Sequence, residues 1–291
     1  MVYVNELTLP SERAETDFIR FENRTCFNTL YPFKIFPDKG LDSVQFETVT
    51  MFYGGNGSGK STLINVIAAK MNAVRYSGFN SSAFFDKFVD MCRLDYRRRP
   101  NAAYVLSSDD VFDYVLKTRS VNERIDEERN ELFDRYSKTY FEALRDPEVG
   151  RLRGMSDLDR WSEVHEIMSP KKSQSQFVKK RVASDIDSFS NGETALRYFI
   201  DKIEDDAVYF LDEPENSLSI EFQLQLAEYI AATARATRSQ FIIATHSPIF
   251  LAMEQALVYN LDADPAGTCN WTELPNVRKY FEFFMDHKDE F

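Results

Sequence analysis

Short apolar runs alternate with longer amphipathic stretches along most of this chain. Residues 49–53, 102–106, 208–211, 241–244 and 256–261 are almost wholly apolar and four to six residues long, so each reads as a strand buried on both faces. The stretches 61–71, 82–92, 192–203 and 220–234 repeat apolar side chains three and four apart, which is helical spacing. Such strands joined by helices predict an α/β fold with a mostly parallel sheet flanked by helices, whose ligands sit beyond the carboxyl ends of the strands.

Two regions depart from that rhythm. Residues 2–53 alternate short apolar runs (2–9, 31–36, 44–46) with turns marked by Pro32, Pro37, Asp38 and Gly40, which reads as a β-rich entry. From 111 to 144 the chain is charged and helical, with Val121, Ile125, Leu132, Tyr136 and Tyr140 on one face. Continuous from 120 to 145, that helix would be roughly 40 Å long. Asp146, Pro147 and Gly150 end it, 157–168 reads as a shorter helix, and 170–181 as a polar, basic loop or edge strand. The expected organisation is a β-rich subdomain plus the first part of a nucleotide-binding lobe over 1–108, an inserted helical lobe over 109–204, and the rest of the nucleotide-binding lobe over 205–291.

Composition narrows the class without changing the fold. With 291 residues and 43% hydrophobic content the chain can bury a large core and needs no staples. Cys26, Cys92 and Cys269 are odd in number and form no C-x-x-C pair, so neither a disulfide framework nor a zinc site is expected. The start of the chain has no basic, apolar leader, and no window is long and apolar enough for a membrane span, which predicts a soluble cytoplasmic protein. A formal charge of −12 argues against a surface coated for nucleic acid, though not against a local basic patch.

The chemistry is concentrated where runs end in polar loops. Gly54-Gly55-Asn56-Gly57-Ser58-Gly59-Lys60-Ser61 matches the phosphate-loop pattern G-x-x-x-x-G-K-[ST] at every fixed position, between a predicted strand and a predicted helix. Glycines let such a backbone wrap a polyphosphate, and the helix adds its positive end. Gly54, Asn56, Gly57, Ser58, Gly59, Lys60, Ser61 and Thr62 form the expected nucleotide-binding set. Lys60 would lie along the β- and γ-phosphates and the Ser61 hydroxyl would ligate Mg²⁺. The run ending at Leu211 delivers Asp212 and Glu213, the first placed to hold Mg²⁺ and the second to polarise the attacking water. Two acids after a strand are ordinary in a solvated loop; together with the phosphate loop they read as a hydrolytic pair. The next run ends at Thr245-His246, so His246 emerges at the same sheet edge as a γ-phosphate contact. Ser190 and Gly192, opening a helix, make an anion-binding end that alone would be no more than an ordinary helix start.

The order of phosphate loop, helical insert, Ser-x-Gly-Glu, Leu-Asp-Glu-Pro, strand and histidine resembles the layout of ABC-class ATPases. The chain resembles in particular the stand-alone members of the RecF and SMC-like branch, the soluble ATPases often given an AAA label. That resemblance implies ATP and Mg²⁺ as cofactors, ATP hydrolysis, and a homodimer formed head to tail on ATP binding. It implies that Lys60, Ser61, Asp212, Glu213 and His246 act within one chain while Ser190 and Gly192 reach the partner's γ-phosphate, with residues 216–219 at the dimer seam. Three departures bear on rate. Phe189 and Asn191 replace the usual Leu and Gly of the signature, Ser219 replaces an Asp, and no glutamine stands between Gln45 and Gln174. The Q-loop ligand is therefore missing, and Ser108 or Asp109 would have to substitute, Asp109 as a metal ligand.

The resemblance implies an ATP-dependent dimerising switch acting on nucleic acid or an effector protein, in DNA maintenance or anti-phage defence. The alternatives are the ATPase subunit of a transporter, which the missing glutamine disfavours, and a nucleotide-gated scaffold with little turnover. Lys171, Lys172, Lys179, Lys180 and Arg181 cluster just upstream of the signature and form the candidate nucleic-acid surface, with Arg97, Arg98 and Arg99 as a second contributor.

Overall fold

In chain order the elements are β1 Val4–Thr8, α1 Glu12–Phe21, β2 Ser43–Gln45, β3 Val49–Tyr53, α2 Lys60–Lys70, α3 Phe85–Met91, β4 Arg93–Tyr96 and β5 Ala102–Ser107. They continue with α4 Ser108–Arg145, α5 Leu158–Met168, α6 Gln174–Lys179, α7 Asn191–Lys202, β6 Ala207–Asp212, α8 Ile220–Ala236, β7 Gln240–Ala244, α9 Pro248–Leu251, β8 Leu257–Asn260, β9 Gly267–Thr268 and α10 Pro275–Asp286. This is a computed structural model, and it describes every residue except 25, 147, 150, 152–153, 170–172 and 184–190. The chain divides into two units, one of Met1–Asp113 with Ser190–Phe291 and the other of Tyr114–Phe189.

In the first unit the described strands form two sheets. The larger has the order β5-β6-β7-β3-β8-β9, parallel throughout except for the terminal β9, and the smaller is antiparallel, β2-β1-β4. Every residue of β3 and β7 is buried, as a sheet covered on both faces requires. Phe52, Phe210, Ile242 and Ala244 join Leu63, Ile64 and Ile67 of α2 in one core that also takes in Val4, Leu7 and Val44 of the small sheet. Register fixes the functional edge: Phe52 pairs with Ala244 and Asp212 pairs with both Ala244 and Ser107, so β3, β5, β6 and β7 finish side by side.

The entry region is less regular than its alternation predicts. Residues 12–21 are helical because Ser11 accepts a hydrogen bond from Ala14 N and Glu12 and Glu15 favour the first turn. Residues 31–36 form turns, not a strand, and deliver Phe33 and Phe36 to the core. Among the cysteines, Cys92 is buried, which pushes its thiol up to about 12, while Cys26 is exposed and Cys269 half-buried; all are free.

The second unit consists of most of α4 with α5 and α6. α4 is continuous over 38 residues. Ile167, Phe177 and Val178 pack against Leu132, Phe133, Tyr136 and Val182 to form a core of its own. Part of the stretch expected as a loop or edge strand is helix α6, because Ser173 and Gln176 close a reciprocal capping box. Lys171 and Lys172 lie outside the described residues.

Candidate active site

The loop between β3 and α2 has the backbone that its glycines permit. Gly57 (φ 81°) and Gly59 (φ 97°) are left-handed, and a Cβ on Gly59 would stand 3.1 Å from Ile35 Cγ2. A Cβ on Gly57 meets nothing within 4 Å, so that side of the loop is open. Among the described residues, no side chain caps the N-terminus of α2, which leaves its first-turn N–H groups to an anion. Asn56 is exposed, while Ser58 is buried with a hydroxyl that has no hydrogen-bond partner among the described residues.

Lys60 is only 4% exposed, an uncommon place for an ammonium group. Its Nζ lies 2.9 Å from Gly54 O, 2.7 Å from His246 Nε2 and 3.4 Å from Glu213 Oε1. Glu213 Oε1 is also 3.3 Å from His246 Nε2, so the three side chains from α2, β6 and β7 converge. Beside them Ser61 donates to Asp212 Oδ1 at 3.0 Å. Thr62 is buried and its hydroxyl accepts from Tyr31 at 3.0 Å. Of Tyr31, Phe33 and Phe36, the aromatic residues that the sequence offers for stacking on a base, Phe33 and Phe36 are buried in the core and Tyr31 is half-buried.

The two carboxylates have opposite electrostatics. Burial pushes Asp212 up to about 6 despite the Ser61 hydrogen bond and the nearby Lys60 and Arg75 charges. Burial also works against the Glu213 charge, but the Asn216 amide at 3.0 Å, with Lys60 and His246, holds that carboxyl below its ordinary range. Glu213 is therefore ionised at neutral pH. Its backbone is left-handed (φ 49°), a strained conformation for a non-glycine residue of the kind that collects at functional sites.

Asp212 supplies a test of that burial. A carboxyl whose pKa is higher folded than unfolded binds a proton on folding, so its contribution to stability falls as pH rises from about 4 to about 6. Asp212→Asn should remove that decline and raise the melting temperature at pH 7.5 by at least about 2 °C in EDTA without nucleotide. A thermal melt of both proteins decides it, and an unchanged or lower melting temperature would refute the account.

Several contacts here have no motif to announce them. Glu215 Oε1 accepts from Thr245 Oγ1 at 2.8 Å and from His246 N at 2.5 Å, tying the acidic loop to the histidine loop. Ser247 Oγ then donates to Gln223 Oε1 at 2.7 Å, and Gln223 Nε2 donates to Leu218 O at 3.0 Å. Asp262, after β8, accepts from Gly55 N at 2.6 Å and braces the phosphate loop. Arg75 hydrogen-bonds Asn65, lies over the Phe79 ring and adds a positive charge near Asp212. Asp109 is exposed, whereas its neighbour Asp110 is buried and accepts from Ser107 N and Oγ at 2.8 and 2.9 Å. The inward carboxylate after β5 is thus Asp110, held by Ser107, which pairs with Asp212 in the sheet. Gly192 opens α7 against Phe222, where a Cβ would meet the ring at 2.8 Å. Ser190 lies outside the described residues.

These residues fit a magnesium–nucleotide. The open loop, the orphan Ser58 hydroxyl and the buried Lys60 charge suit a polyphosphate, and Ser61 with Asp212 offers hard oxygen ligands. Among the described residues no group of three His, Cys, Asp or Glu is disposed to hold a metal, so magnesium here would complete its shell with phosphate oxygens and water.

Residues 75–252, more than half of the chain, match a protein family described as "AAA domain, putative AbiEii toxin, Type IV TA system". The chain belongs to this AAA-domain family. The matched stretch contains Asp212, Glu213, Glu215 and His246 and begins after the phosphate loop, whose assignment rests on its own pattern and geometry. No curated protein matches the chain. Among solved structures it is similar to the Smc head domain with an extended coiled coil from Pyrococcus furiosus, bound there to the C-terminal domain of ScpA (13% identity over 99% of this chain and 100% of that one, TM-score 0.41). It is also similar to the SMC head domain of Thermotoga maritima (15% identity, 92% and 98%, TM-score 0.40) and to a nucleotide-free ATP-binding cassette of an ABC transporter (15%, 97% and 99%, TM-score 0.40). At these scores the likenesses add nothing to the family assignment. Among the described residues, no helix is long and apolar enough to cross a membrane.

Proposed function

We propose that this AAA-domain protein binds and hydrolyses ATP, and that ATP binding joins two copies head to tail as a switch on an effector. The observation that supports this most is the meeting of Lys60, Glu213 and His246 within 3.4 Å beside the Ser61–Asp212 pair. Lys60 would neutralise the β- and γ-phosphates. Ionised Glu213 would take the proton of the attacking water, and His246 would contact the γ-phosphate through Nε2. Magnesium, when bound, would polarise the γ-phosphate between Ser61 and Asp212.

In this reading the second copy supplies Ser190 and Gly192. Ile220 and Leu224, one turn apart at the start of α8 beside Ser219, are exposed apolar side chains, which supports a seam at that place. The family description, with its reference to a toxin of a toxin–antitoxin system, supports a role in defence over DNA maintenance. The basic stretch supports nucleic acid less than its sequence does. Lys180 and Arg181 both pair with Glu166, at 3.8 and 2.6 Å, so part of its charge is neutralised within the chain, and an effector protein is favoured.

A composite site makes the rate per chain rise with protein concentration until dimers dominate. Magnesium-dependent phosphate release, measured across a hundredfold range of protein, should show that rise. A constant rate per chain would overturn the composite site, and tight ATP binding without turnover would replace hydrolysis by nucleotide-gated scaffolding.

A further inference from the structure

α10 enters the fold by one end only. Leu274, just before it, and Val277 in its first turn are buried, and the face begun by Val277 continues through Tyr280, Phe281, Phe284 and Met285. Those four are 54, 58, 54 and 50% exposed. Single exposed apolar side chains are ordinary, but a contiguous set at helical spacing marks a contact surface.

The charges on the helix indicate what covers it. Arg278 and Lys279 stand in its first half and Glu282 and Asp286 in its second; after it come Lys288, Asp289 and Glu290, the last bonded to His287. This order opposes the helix dipole, which favours acids at the start and bases at the end. Arg278 precedes Glu282 in the weaker i,i+4 direction, and Glu282 and Asp286 are like charges four apart. Among the described residues, none of Arg278, Lys279, Glu282 and Asp286 forms an ion pair. Within one chain the pattern therefore gains little: one weakly oriented pair, one like-charge pair and an order that opposes the dipole. An antiparallel helix of the same sequence would offset these terms, because the basic half of one faces the acidic half of the other while the aromatic rows interleave. A parallel copy would set like charges together.

We infer that the exposed face of α10 docks on the same face of a second copy, antiparallel about a twofold axis, with Arg278 of each chain against Glu282 of the other. The contact is isologous and requires no nucleotide, so it is separate from any ATP-dependent pairing. A helix of 12 residues offers an interface at the small end of the usual range, so the pair should form at micromolar protein.

Sedimentation equilibrium without nucleotide, from about 1 to about 100 µM, tests this. Wild type should be dimeric at the upper end, and Phe281→Glu with Phe284→Glu should weaken the dimer by more than about tenfold. Arg278→Glu should weaken it by about fivefold, and Arg278→Glu with Glu282→Arg should restore it, since a swapped pair is still complementary across a twofold axis. All these side chains are exposed, so circular dichroism should show unchanged folding. A monomeric wild type, a dimer indifferent to the two glutamates, or a charge swap that restores nothing would each overturn the proposal.

Discussion

Lys60→Ala is expected to lower ATP affinity by about a hundredfold or more, corresponding to roughly 3 kcal/mol. Two losses combine. The polyphosphate loses a buried cation, and the Glu213 carboxylate, which Lys60 holds at 3.4 Å, becomes an uncompensated negative charge facing it. Titration of a fluorescent ATP analogue measures the change. Wild-type affinity in the variant would mean that the loop does not hold phosphate, however well its pattern fits.

Glu213→Gln should have the larger effect on turnover and little on binding. The amide is nearly isosteric and its one oxygen can still accept from either Asn216 or Lys60, but it cannot accept the proton of the attacking water, which is worth about 10²–10⁴ in rate. Blocked after binding, the variant should accumulate as an ATP-bound dimer that light scattering detects. Adding Ser190→Arg, which places a bulky cation at the proposed contact with the partner's nucleotide, should dissolve it. Retained turnover in Glu213→Gln would remove Glu213 as the base; an ATP dimer indifferent to Ser190→Arg would remove Ser190 from the seam.

Much of this was legible because it is local in sequence. The buried strands are short, unbroken apolar runs, and the phosphate loop and the Asp212–Glu213 pair follow two of them directly, so pattern and register carry them to one edge. Glu215 had no such signal, since its partners Thr245 and His246 are 30 and 31 residues away and only the pairing of β6 with β7 brings them together. Asp262 is 207 residues from the glycine it braces. Asp109 and Asp110 are equivalent by composition, and only the helical phase of α4 turns the second inward. The first helix escaped a period-two reading because a hydroxyl at its start, rather than apolar spacing, decides it. α6 escaped for the same reason, its charged tail masking the Ser173–Gln176 box.

The hydrogen-bonded series from His246 N through Glu215, Thr245, Ser247 and Gln223 to Leu218 O has a mechanical corollary. The histidine that would touch the γ-phosphate and the segment ahead of Ser219 are two ends of one stiff lever, with the Glu215 carboxylate as its fulcrum. A shift of the His246 backbone would be passed along this series toward Leu218. Sensitivity to the terminal phosphate and grip on a second chain could then not be tuned independently, and slackening one would slacken the other.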